Sequence, residues 1–262
     1  MSGEGRFIDN LMNEDCIVKG TVQGETLKAS GGSAHYMRLD FDAHPIYMGK
    51  KTAFAAPTGA TGDENVMMLP EGILEWHVLG TQTILAPEPV ATGLNVSMDA
   101  VDNDGAEFCP GILAGNRCAF TVGDDPAFYA RMKFSIADVG DTDDCAFGFR
   151  KVEAYQADID DYDEMAALNV ISGDIKIETI LNNATTVTTD TTDNWADGET
   201  HELAVYVDAD GVVTYEIDGA PPSTTAEFTF DDGEVVVPFF YFLHAAASTA
   251  GIIFQEFECG LQ

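Results

Sequence analysis

Hydrophobic and polar residues alternate through much of this chain, most clearly over residues 193–219, DNWADGETHELAVYVDADGVVTYEIDG. Leu203, Val205 and Val207 fall on one side of an extended segment, and Glu202, Ala204 and Tyr206 on the other. A period of two is the signature of a strand with distinct faces. Asp210-Gly211 and Asp218-Gly219 follow the two alternating segments and supply the positive φ angles of tight turns. The stretch therefore predicts a β-hairpin over 201–217. Residues 128–136 (FYARMKFSI) alternate without a fault, with Phe128, Ala130, Met132, Phe134 and Ile136 inward.

The same reading extends along the chain. Strands are expected near 36–41, 66–69, 73–79, 83–85, 94–98, 108–113, 117–122, 145–152, 228–230, 235–243 and 252–258. Residues 170–181 read as two strands, or one long one, around Ser172-Gly173. The Thr-rich run 185–192 reads as an edge strand by its β-branched content. Tyr162 to Leu168 (YDEMAAL) reads as the one short helix. Many strands and almost no helix predict an all-β, antiparallel two-sheet sandwich. Residues 1–89 differ, with Gly- and Pro-marked loops at 28–33, 53–63 and 86–90 and half of the twelve Lys and Arg residues. They are expected to form an N-terminal extension or small β subdomain used for attachment, lying along its own domain or a neighbour. Residues 90–262 are expected to form the sandwich.

Asp and Glu number 45 against 12 Lys and Arg, a formal net charge of -33. Such a surface repels nucleic acid and anionic membranes, so neither is an expected partner. It reflects solubility, a saline habitat or carboxylate-lined cation sites. No apolar run has the length of a membrane span, and the N-terminus has no signal-peptide pattern, so synthesis in a cytoplasm is expected. The five cysteines, Cys16, Cys109, Cys118, Cys145 and Cys259, contain no CxxC and no zinc spacing. Cys109 and Cys118 flank a Pro-Gly turn and are candidates to pair. The competing reading is buried small hydrophobes in a reducing compartment.

Trp195, His201, Leu203, Val205, Val207, Asp208, Tyr215, Asp218 and Gly219 together resemble the back hairpin of concanavalin A-like (laminin G-like) jelly rolls. The likeness covers about residues 90–262 and implies a jelly-roll sandwich. Within that group the acidic character, Thr- and Asp-rich loops and N-terminal arm are similar to virion proteins of tailed bacteriophages. That resemblance implies a structural decoration (cement) protein on the capsid surface. Its implied partners are the major capsid protein lattice and sister subunits, a trimer being favoured. The alternative is a carbohydrate-binding jelly roll for host-surface adsorption, with Trp195 and loop aromatics as a glycan platform.

Catalytic signatures are missing. Family-16-type glucanases place Glu-x-Asp-x-x-Glu on one strand; Asp174-Ile175-Lys176-Ile177-Glu178 has the wrong first residue and a lysine at the middle acid. Tyr241-Phe242 echoes only two residues of the alginate-lyase motif. No catalytic residues and no cofactor are therefore expected. Calcium is the one candidate ion, at Asp138, Asp141, Asp143 and Asp144 or at Asp158, Asp160, Asp161, Asp163 and Glu164, though neither run matches an EF-hand loop. His35, His44, His77, His201 and His244 have no ligand spacing. Residues 237–243 (VPFFYFL) are apolar on both faces. The face carrying Phe240 and Phe242, or their neighbours, is expected to need cover from the N-terminal segment or another subunit.

Overall fold

The computed structural model describes residues 36–41, 47–50, 64–69, 72–81, 87–97, 101–110, 118–246 and 251–262. The first strands are β1 (Tyr36–Asp40), β2 (Tyr47–Lys50), β3 (Glu64–Leu69), β4 (Gly72–Leu79), β5 (Glu88–Val90) and β6 (Gly93–Asn95). Then come β7 (Gly105–Pro110), β8 (Phe120–Thr121), β9 (Phe128–Ile136), β10 (Thr142–Lys151), β11 (Met165–Ile171) and β12 (Asp174–Ile180). The last are β13 (Val187–Asn194), β14 (Thr200–Val207), β15 (Val213–Ile217), β16 (Val235–His244) and β17 (Ile252–Leu261). All pair antiparallel in two sheets. One has seven strands, in the order β15-β14-β9-β17-β6-β5, with β1 also on β17. The other has ten, in the order β13-β12-β11-β10-β16-β7-β4-β3-β2, with β8 also on β16. This is the sandwich that the alternation predicts.

The organising hairpin forms in the expected register. Leu203, Val205 and Val207 lie opposite Ile217, Tyr215 and Val213. Asp218 (φ 52°) and Gly219 (φ 76°) make the reversal after β15, closed by paired bonds between Ile217 and Ala220. The turn between β14 and β15 is wider than two residues. The Asp208 carboxylate accepts from the amides of Asp210 and Val212, both at 2.9 Å. A phenylalanine layer joins the sheets. Phe134 of β9 meets Phe240 of β16 edge-on at 5.0 Å, and Phe240 meets Phe254 of β17 edge-on at 4.6 Å. Phe128 meets Phe149 in the same way at 5.2 Å. Edge-to-face aromatic pairs add about 0.5–1.5 kcal/mol each beyond the area they bury.

Three findings refine the expectations. Residues 162–168 form no helix: β11 begins at Met165 and is paired on both sides, to β10 and β12. Ala166, Leu168 and Val170 enter the main core, while Met165 and Ala167 join a second cluster on the opposite face. Strand pairing with two-sided burial overrides the helix propensity of Met, Ala and Leu. The helical turn lies just upstream, at Ile159–Asp161, capped by the Asp158 side chain. Second, the division at residue 90 is no break in the sheets. β1 pairs along β17, and β4 pairs along β7 with Trp76 opposite Phe108. Third, Cys109 and Cys118 lie on opposite faces of the ten-stranded sheet, Cys109 in the outer cluster and Cys118 in the main core. They cannot bond to each other. Thr83–Leu85, Cys16, His35 and His44 lie outside the described residues.

The apolar run of β16 is indeed covered on both faces, but by this chain. Phe240 and Phe242 point into the main core. Val237, Phe239 and Tyr241 point outward, where Ile159 and Tyr162 of the β10–β11 connection lie over them. Ala146 and Ala167 are small residues in the same cluster as that connection, and Gly148 between them is required by the backbone of β11. A Cβ at Gly148 would sit 2.1 Å from the Ala166 carbonyl oxygen. The Tyr241 hydroxyl donates to the Ala157 carbonyl at 2.9 Å and holds the segment down. The run therefore gives no argument for an oligomer.

A chain starting at residue 89 lacks β1–β4. It is expected to lose cooperative thermal unfolding and to bind a hydrophobic dye. A sharp transition within about 5 °C of the full chain would show that the early strands are dispensable.

Candidate functional site on the outer face of the ten-stranded sheet

Four neighbouring strands each place one polar side chain at the same spot. They are Asp144 on β10, Asn169 on β11, Glu178 on β12 and Thr188 on β13. Alternation aims them outward, because Cys145, Leu168, Val170 and Ile177 beside them point into the core. Asn169 is buried and organises the group. Its amide nitrogen donates to Asp144 at 2.7 Å and to Glu178 at 2.8 Å. Its amide oxygen accepts from the Cys145 backbone N–H at 2.8 Å. That amide lies one residue beyond the end of the β10–β11 ladder, which stops at the Ala146–Asn169 pair. The Thr188 hydroxyl donates to the other Glu178 oxygen at 3.1 Å. Asp144 is half-buried and Thr188 exposed, so the spot opens to solvent. Burial pushes the Asp144 carboxyl up to about 7. The Asn169 bond opposes this shift, and nearby Glu178, Asp143 and Asp158 add to it.

The other half of the face is closed under the 152–162 connection. Arg150 and Glu107 are both fully buried there and bond Nε to Oε1 at 2.5 Å. Glu107 also accepts from the Tyr162 hydroxyl, and Arg150 donates to the Lys151 and Glu153 carbonyls. The guanidinium lies over the Tyr162 ring, 4.6 Å from its centroid. Burial alone would lower the Arg150 pKa; the Glu107 carboxylate outweighs it, and the guanidinium stays charged. Nearby Tyr155 donates to the buried Glu75 at 3.2 Å and stacks on His77.

The acidic loops do not converge on an ion. Asp138 and Asp158 spend an oxygen each capping turns at Gly140 and Asp160. Asp160 accepts from Thr186, and Asp163 from Lys151. Among the described residues no group of three or more His, Cys, Asp or Glu is placed to hold a metal.

Other sequence candidates fall elsewhere. Trp195 is buried against Phe134 and His201, and its indole N–H donates to the Glu199 carbonyl at 3.2 Å. Tyr215 is buried too. Neither can serve as a glycan platform. His201 sits between Asp218 (2.6 Å) and Glu199 (3.2 Å), tying β14 to the turn after β15. Of residues 174–178, Glu178 alone joins the site. Asp144 and Glu178 stood among the sequence candidates; Asn169, Thr188, Arg150 and Glu107 did not. For Asn169, Arg150 and Glu107 the signal was a polar residue inside an otherwise apolar strand, as in AALNVI and CAFGFR; Thr188 sits in a polar edge strand that carries no such signal.

No protein-family model matches the chain, and no curated protein matches it in sequence. Solved structures do match. The carbohydrate recognition domain of Emp46p, in a potassium-bound form, superposes with a TM-score of 0.52 at 8% identity, over 71% of this chain and 88% of that one. The carbohydrate recognition domain of Emp47p gives 0.50 at 12% identity, over 74% and 90%. The likeness is one of fold. This chain folds as a two-sheet jelly-roll sandwich similar to those two domains.

The charges on this face can be tested at two points. Glu107→Gln leaves Arg150 buried beside no counter-charge and is expected to cost about 3–5 kcal/mol in urea denaturation, whereas Glu107→Leu with Arg150→Met together should cost less than Glu107→Gln alone. The Asp144 carboxyl titrates higher in the folded chain than in the unfolded one. Its contribution to stability is full below about pH 4 and is lost as pH rises through about 7. Buried Glu164, also raised to about 7 by burial with Glu234 and Asp231 beside it, acts in the same direction. Asp144→Asn should therefore raise the melting temperature at pH 8 by about 2–4 °C and change it less at pH 5, as calorimetry at both pH values would show.

Proposed function

We propose that this domain binds carbohydrate at Asp144, Asn169, Glu178 and Thr188. The observation that carries this reading is the hydrogen-bonded row of four polar side chains on one open face. The fold shared with carbohydrate-recognition domains supports it. Sugar hydroxyls donate well to carboxylates, and the free lone pairs of Asp144 and Glu178 accept them. Asn169 holds both carboxylates in place before a ligand arrives, which limits the ordering cost of binding. The exposed Thr188 hydroxyl borders the site on the edge strand. The role is recognition without turnover.

Capsid attachment, a capsid-surface location and a trimer draw on sequence style alone. The apolar face that suggested subunit contacts is covered internally. At -33 overall, nucleic acid and anionic membranes are poor partners for the site.

Glycan-array screening of the full chain, followed by calorimetric titration of the best binder, tests this function. Asp144→Asn and Glu178→Gln are each expected to weaken binding about ten-fold or more, because each removes a hydrogen bond to a charged group. Binding should be equal with added calcium and with chelator. No hit on the array, or hits untouched by both substitutions, would reject the site. Release of reducing sugar from the bound glycan would replace recognition with hydrolysis.

A further inference from the structure

We propose that Cys118 and Cys259 are a disulfide site that locks the two sheets together in an oxidising environment. Cys259 lies in β17 of the seven-stranded sheet. Cys118 comes just before β8, which pairs with β16 of the ten-stranded sheet. Both side chains enter the core between the sheets, 1% and 0% exposed. Both belong to one buried core cluster with Met37, and the neighbouring Cys118 thiol adds to the upward shift of Cys259. Met37 lies opposite Cys259 in the β1–β17 register, and its sulfur is 3.9 Å from the Cys118 sulfur. Two elements from opposite sheets thus bring their cysteines together around the Met37 side chain. Cys109, the sequence neighbour of Cys118, lies on the far face of its sheet.

The oxidant is a low-molecular-weight disulfide such as oxidised glutathione. One cysteine thiolate attacks it, forming a mixed disulfide and expelling one glutathione thiolate. The second cysteine then gives up its proton and displaces the other glutathione, closing the Cys118–Cys259 bond. Two protein thiols lose two electrons and two protons, and one oxidised glutathione becomes two reduced ones. Burial holds the Cys259 thiol well above its ordinary range, so thiolate is scarce in the closed fold. Oxidation should therefore be fast during folding and slow afterwards. The bond would close the loop from residue 118 to residue 259 and tie β17 across the sandwich.

The test refolds the full chain in a glutathione redox buffer and, separately, in reducing agent. Each product is alkylated, weighed intact, mapped by peptide mass and melted. The expected oxidised product carries two fewer alkyl groups, yields a peptide joining Cys118 to Cys259, and melts about 5 °C or more above the reduced form. Cys118→Ala should abolish the linked peptide and the difference in melting between buffers. Retention of all free thiols, a link between other cysteines, or a linked product melting no higher than the reduced one would overturn the proposal. The two wild-type products decide the outcome even if the variant does not fold.

Discussion

The central strands of the ten-stranded sheet, β10 and β16, are buried on both faces, and much of the architecture answers that constraint. One face meets the phenylalanine layer of the opposite sheet. The other must be shielded by something else, because an apolar sheet face left in water loses its hydrophobic stabilisation. The 152–162 connection does this, and it shapes its neighbourhood. Ala146 and Ala167, both small, share its cluster. Tyr241 and Tyr162 anchor it through their hydroxyls. Where it crosses Arg150 and Glu107, it seals an ion pair away from solvent.

The closed and open halves of this face use polar groups differently. Under the cover, each strong donor meets an acceptor, which is the condition for holding a charge in a low-dielectric interior. At the uncovered end, Asn169 satisfies only part of the capacity of Asp144 and Glu178. Half-buried Asp144 and exposed Thr188 give a ligand access there, and that access makes the open end the binding candidate. The cost appears as a carboxyl titrating near neutrality, a strain that a ligand with several hydroxyls could relieve.

Much of the fold was legible in the sequence, because a strand with one wet face carries its own record. Phe128–Ile136 and Thr200–Val207 alternate as they are built. The Asp218-Gly219 and Ser172-Gly173 reversals sit at residues with φ near or above 50°. The site was half legible. Asp144 and Glu178 stood out as acids, but in a chain with 45 of them no local pattern says which two share one asparagine. Asn169 and Arg150 were hidden in strands that read as apolar. Met165–Leu168 misled for a related reason: a strand buried on both faces loses its alternation and keeps residues that also favour helix.

The sequence by itself determined the all-β class, most strand positions, the turn chemistry and the acidic surface, since these follow from neighbours within a few residues. Tertiary structure alone decided which residues meet across the sandwich. It put Trp195 in the core instead of on a surface platform and drew β1–β4 into the same sheets as the rest. It put Cys118 in the same core cluster as Cys259 and Cys109 on the opposite face, because a residue's face in a sheet is invisible until the strand's partners are known. It also gathered Asp144, Asn169, Glu178 and Thr188 from four strands into one spot. Such contacts depend on register between distant segments, and register is set by the burial of the whole sheet.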